Sequence, residues 1–98
     1  MTDVETLALC RAIAEKVGWV CRDEFVWDDT GPIMWHLRKP GDLAAFIAAV
    51  EGTLTEGQQE KYGRALLHYA LAVPRLMYFR IATAPASVRL QSLREVLG

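Results

Sequence analysis

The sequence predicts an α+β fold of four to five helices packed on a small antiparallel β-hairpin. Three observations carry this. Leu43, Phe46, Ile47, Val50 and Leu54 recur at steps of three and four, as do Tyr62, Leu66, Tyr69 and Val73, which is the spacing of one helix face. Between Trp19 and Leu37 the residues turn aromatic and β-branched and the period falls to two. Asp28-Asp29-Thr30-Gly31-Pro32 interrupts that stretch with turn chemistry.

The two periodic stretches make a helical hairpin over 42–73, joined by a short turn. Asp42 is expected to cap the first helix, with Pro40 and Gly41 keeping it from starting earlier. Gly52 suits a left-handed position at its end. Thr55-Glu56-Gly57-Gln58 reads as a capping box, in which the Thr hydroxyl and the Gln amide each accept a backbone N–H. Ala44, Ala45, Ala48 and Ala49 leave a face on which another element could pack closely.

Thr2-Asp3-Val4-Glu5 is a second capping box, so a helix begins near the first residue. Its stripe is Leu7, Cys10, Ala14 and Val17, with Leu9 and Ile13 beside it, and Gly18 stops it. In the hairpin, Trp19, Cys21, Phe25 and Trp27 alternate with Val20, Arg22, Glu24 and Val26. Ile33, Trp35 and Leu37 alternate with Met34, His36 and Arg38. The odd-numbered face is expected to lie on the helices, since a lone ribbon is marginal in water. A tighter turn at Asp23-Glu24 would divide the first run and give three strands. After Pro74, residues 75–82 fit a helix or a strand, with helix favoured. Pro85 opens a last helix whose stripe is Ala86, Leu90, Leu93 and Leu97, with Arg89, Gln91, Arg94 and Glu95 as its wet side.

Ninety-eight residues form one domain, 1–98. The 52% hydrophobic and 23% charged content describes an ordered chain able to bury one core. No apolar run approaches the roughly 18 residues of a membrane span, and no signal-peptide pattern opens the chain, so a cytoplasmic protein with no membrane partner is expected. Cys10 and Cys21 lack metal or redox spacing and are expected to be buried thiols. Residues 1–54 hold five Lys/Arg against nine Asp/Glu, a balance of −4, and residues 55–98 hold six against three, a balance of +3. Two complementary surfaces of one domain account for this, and docking of charged partners by one end is the sharper alternative.

Ala14-Glu15-Lys16-Val17-Gly18-Trp19, together with Pro40-Gly41-Asp42-Leu43-Ala44-Ala45, resembles the small phage and prophage proteins of the phage ABA-sandwich type. Thr53 to Gln59, Ile81-Ala82-Thr83-Ala84 and the closing Leu90 to Gly98 resemble the tail of other short phage-encoded proteins. The resemblance implies a small sheet between helices, a phage or prophage origin and a bacterial host cytoplasm. It supplies no catalytic residues.

Candidate chemistry is sparse. Asp23, Glu24, Asp28, Asp29 and His36 could gather hard oxygen ligands for a cation, but no calcium-loop spacing is present and carboxylates are common in turns. Ser87, Ser92, Cys10, Cys21, His36 and His68 form no recognisable nucleophile–base pattern. Gly52, Gly57 and Gly63 are too scattered to cradle phosphate. No catalytic, cofactor-binding or metal-ligating residue is therefore assigned, and no enzyme activity is expected. Gln58, Gln59, Lys61 and Arg64, near the start of the second hairpin helix, could contact DNA as a helix-turn-helix regulator does. Glu56, Glu60 and the net charge of −1 weigh against nucleic acid. Trp19, Trp27 and Trp35 share one expected face with Phe25, as core floor or as an aromatic anchor. As an anchor, Trp27, Asp28, Asp29, Trp35 and His36 would bind a host or phage protein. The expectation is thus a non-enzymatic phage-derived accessory protein, with inhibition of a host defence component, in the manner of anti-CRISPR proteins, as one version. A homodimer is left open.

Overall fold

The computed structural model describes residues 3–28, 33–71 and 85–98. The order is α1 (Asp3–Lys16), β1 (Val20–Arg22), β2 (Phe25–Trp27), β3 (Met34–His36), α2 (Pro40–Glu51), α3 (Glu56–Leu71) and α4 (Ala86–Leu97). The α+β expectation holds, and the Asp23-Glu24 turn does divide the first run. The sheet is three-stranded, antiparallel and ordered β1-β2-β3. Residues 75–82, and the Thr2, Thr83 and Ala84 parts of the expected helix starts, lie outside the described residues.

Local chemistry sets most boundaries. α1 ends in a Schellman motif: Gly18 takes φ +80°, its N–H donates to Glu15 O at 3.2 Å, and Trp19 N–H donates to Ala14 O at 2.9 Å. α3 opens with the expected capping box. Thr55 N–H donates to Gln58 Oε1 at 2.9 Å, and Gln58 N–H donates to Thr55 Oγ1 at 3.3 Å.

α2 corrects two expectations. It starts at Pro40, with Lys39 as the N-cap residue, because proline fits the first helical position, where its missing N–H is not needed. Asp42 therefore sits inside the first turn, and its Oδ2 accepts the backbone N–H of His36 at 3.0 Å instead. Gly52 is right-handed at φ −67°, so it is not the left-handed stop. The Thr53 hydroxyl donates to Val50 O at 2.7 Å and closes the end.

The core joins Cys10, Ile13 and Ala14 of α1, Val26 and Trp35 of the sheet, Phe46, Ile47 and Val50 of α2, Tyr62 and Leu66 of α3, and Val88, Leu90 and Leu93 of α4. α4 is its centre, packed against α1, α2 and α3. The connected helices α2 and α3 do not pack chiefly on each other: α3 packs on α4, and α2 on α4 and β3 alike. α4 thus buries more than one stripe, and Ser92, fully buried, satisfies its hydroxyl on Val88 O at 2.7 Å. Arg89 leaves the expected wet side and pairs with Glu51. Ala44, Ala45 and Ala48 on α2 remain exposed.

Sheet parity is the main correction. The register pairs Cys21 with Val26 and Val26 with Trp35. Directly paired residues point to the same face of a sheet. A two-residue turn pairs an odd position with an even one, so the inner face is Cys21, Val26 and Trp35 rather than all odd positions. Val26 is 0% and Trp35 7% exposed. Trp35 is accordingly core, tilted against Trp19 at 5.2 Å and edge-on to Phe46 at 5.9 Å. It cannot serve as an exposed anchor.

Candidate functional site

The opposite face of the sheet carries two rows set by the same register: Val20, Trp27 and Met34, then Arg22, Phe25 and His36. Val20 is 64% and Met34 47% exposed, while Phe25, Trp27 and His36 are half-buried. Phe25 stacks on His36 at 4.8 Å and leans toward Trp27 at 6.1 Å. Ile33, also exposed, stands at the rim beside Asp28, whose N–H donates to Ile33 O at 3.4 Å.

Ion pairs hold one side of this face. Glu24 Oε1 lies 3.0 Å from His36 Nε2, and Glu24 Oε2 lies 2.5 Å from Arg38 Nε. At the adjoining turn, Arg11 donates from Nε and Nη2 to Asp23 O at 3.3 and 2.9 Å, which fixes the turn where Asp23 takes φ 54°.

The edge of β3 is closed to strand addition at one point. Asp28 N–H to Ile33 O and Leu37 N–H to Glu24 O make Val26 and Trp35 the mutually bonded pair of the ladder. His36 N–H therefore points away from β2, and Asp42 occupies it.

The structure brings Trp27, Asp28 and His36 to one region of the sheet and sends Trp35 to the core; Asp29 lies outside the described residues. The even-numbered alternation already sets Val20, Arg22 and Met34 outward; what it misses is that Phe25 and Trp27 join them, and the signal for that is the Asp23-Glu24 turn, whose two-residue length reverses the parity of β2 against β1.

The expected DNA-contacting residues lie on α3. Gln58 is engaged in the capping box, and Gln59 Nε2 donates to Leu54 O at 3.3 Å. Arg64 Nη2 pairs with Glu60 at 2.9 Å. Lys61, Arg64 and His68 line a groove of about 400 Å³ between α3 and α4, closed on the far side by Glu95 and Val96. Its charge is mixed, and the glutamines meant to read bases are taken up by the fold.

The other candidate groups are used internally. Among the described residues no three His, Cys, Asp or Glu are placed to share a cation. No described serine or cysteine bonds a histidine. Cys10 and Cys21 are free thiols. Burial, with Cys21 nearby, pushes the Cys10 thiol up to about 12, and burial also raises Cys21, opposed by Arg11. No buried side-chain polar atom among the described residues lacks a partner.

No family model, curated protein or solved structure matches the chain.

Proposed function

We propose that the chain is a non-enzymatic protein that acts by binding another protein through the outer face of its sheet. The observation that carries this is the apolar row of exposed Val20 and Met34 with half-buried Trp27 between them, on a face that an antiparallel sheet normally fills with polar residues. Apolar patches of this kind, rimmed by charge, mark docking sites, and Trp, Met and Arg are the residues enriched there. Trp27 is the anchor and His36 and Asp28 belong to the rim. The mechanism is occlusion of a partner's surface, with affinity concentrated in a few side chains.

The resemblance to phage ABA-sandwich proteins supports a phage or prophage origin. On that reading the partner is a host or phage protein in the bacterial cytoplasm, and blocking a host defence component is the specific version. Immobilised chain incubated with bacterial lysate should retain a discrete protein, and Trp27→Ala should lose it. Retention unaffected by Trp27→Ala, Met34→Ala and Val20→Ser together would remove the face from the reading. Expression in a strain with active CRISPR interference should raise plaque formation by a targeted phage. Unchanged plaque counts would remove the defence version.

A further inference from the structure

We propose that the outer sheet face receives an acidic apolar protein segment, with Arg22 holding its carboxylate. This rests on the reading of that face as a binding surface.

The first argument is the charge left over on the face. Glu24 is taken by His36 and Arg38. Arg11 is turned away onto the Asp23 carbonyl. Arg22 shares a row with Phe25 and His36, is exposed, and among the described residues has no carboxylate partner. Among the described residues the face thus presents one uncompensated guanidinium beside Val20, Phe25, Trp27 and Met34. Its complement is a carboxylate beside apolar side chains. A guanidinium binds a carboxylate through two parallel N–H bonds, which adds orientation to attraction.

Spacing gives the second argument. Val20 and Arg22, two positions apart on β1, project about 7 Å apart on one face. Residues four apart on a helix, roughly 6 Å apart, match this distance, as do residues two apart on an extended segment. An acidic residue can therefore reach Arg22 while an apolar neighbour covers the Val20–Trp27 row.

Area gives the third. Three strands of three residues cover a footprint of about 10 by 15 Å, far below the roughly 800 Å² per partner of a stable protein interface. The patch fits a segment, not a flat second copy. A second copy of the face would also bring another Arg22 and, among the described residues, no carboxylate placed to meet it. Nucleic acid would need several free cations, and among the described residues the face offers one. The segment lies across the face rather than extending the sheet at β3, because Asp42 already holds the His36 N–H at that edge.

A random dodecapeptide display library selected against the full chain tests this. Enriched peptides should carry Asp or Glu within four positions of Trp, Phe, Leu or Met. A synthetic consensus peptide should lose at least tenfold in affinity to Arg22→Glu and severalfold to Met34→Ala. Lys in place of its acid should restore affinity to Arg22→Glu. Both substituted positions are exposed, and matching circular dichroism and melting curves confirm that the variants fold. Enriched peptides without acidic bias that still depend on Trp27 and Met34 would overturn the acidic partner and leave the binding face standing. Peptides indifferent to Arg22, Trp27 and Met34 would overturn the face as well. The acidic-segment proposal also fails if nothing enriches, if a thymidine dodecamer binds more tightly than the peptide, or if sedimentation finds a dimer that Met34→Asp dissolves.

Discussion

Arg89 on α4 and Glu51 at the end of α2 meet as a two-point ion pair across 38 positions of chain. Arg89 Nε donates to Glu51 Oε2 at 3.3 Å, and Nη2 donates to Oε1. The Tyr62 hydroxyl of α3 donates to the same Oε2. One carboxylate therefore joins three helices at the point where α2 and α3 diverge onto α4. Burial alone would pull the Arg89 pKa down, but the bonds and charges of Glu51 and Tyr62 outweigh it and raise it.

Removing Arg89 or the Tyr62 hydroxyl leaves the half-buried Glu51 carboxylate with one partner instead of two. Arg89→Ala should cost about 2 kcal/mol, reduced from a fully buried pair by solvent access. Tyr62→Phe should cost about 1 kcal/mol. Urea unfolding at neutral pH reads both. Because only the double variant leaves Glu51 without either partner, it should lose measurably more than the sum, and strict additivity would contradict the shared role.

Asp42→Ala should expose the His36 amide. Loss of this charge-assisted bond should cost about 1.5 kcal/mol, with Asn partly restoring it. Hydrogen exchange should then show faster loss of protection at His36 than at Trp35, whose N–H stays in the ladder. Unchanged exchange at His36 would mean that the carboxylate does not hold that edge.

The two sides of the sheet should respond oppositely to truncation. Trp35→Ala removes a ring packed between Trp19 and Phe46 and should cost about 3–5 kcal/mol. Met34→Ala, one position away on the exposed face, should change stability by no more than about 0.5 kcal/mol. Equal losses would contradict the parity of β3.

Alkaline pH should destabilise the fold through Cys10 and Tyr62. Both have folded-state pKa values above their ordinary ones: burial raises Cys10 to about 12, and burial with the Glu51 bond raises Tyr62. Their stabilising contribution is complete below the unfolded values, near 9 for Cys10, and is lost as pH climbs toward the folded ones. For Cys10 that window runs from about 9 to about 12, with a slope approaching roughly 1.4 kcal/mol per pH unit. Melting curves from pH 8 to 10.5 should fall less steeply for Cys10→Ala. Native-state alkylation at pH 8 should label the half-buried Cys21 before the fully buried Cys10.

Glycine positions separate the two kinds of helix end. Gly18→Ala forces a side chain into φ +80° and should cost about 1–2 kcal/mol. Gly52→Ala meets the Ala49 and Ala48 carbonyl oxygens at 3.4 and 3.6 Å with a right-handed backbone, so its effect should stay within about 0.5 kcal/mol. Equal melting shifts would remove the distinction.

The sequence by itself determined the helices, their apolar stripes, the Thr55–Gln58 box, the Gly18 stop and the Asp23-Glu24 turn. Each is written in a few neighbouring residues, because helical period, capping and turn chemistry act over one or two turns of chain. Tertiary structure decided that Trp27 lies on the outer face of the sheet while Trp35 faces Phe46, that Asp42 serves β3 rather than its own helix, and that Arg89 turns inward to Glu51. Those outcomes depend on strand register and on surfaces brought together from distant parts of the chain. A period of two names two faces without saying which is buried, and only packing against α1 and α2 makes that choice.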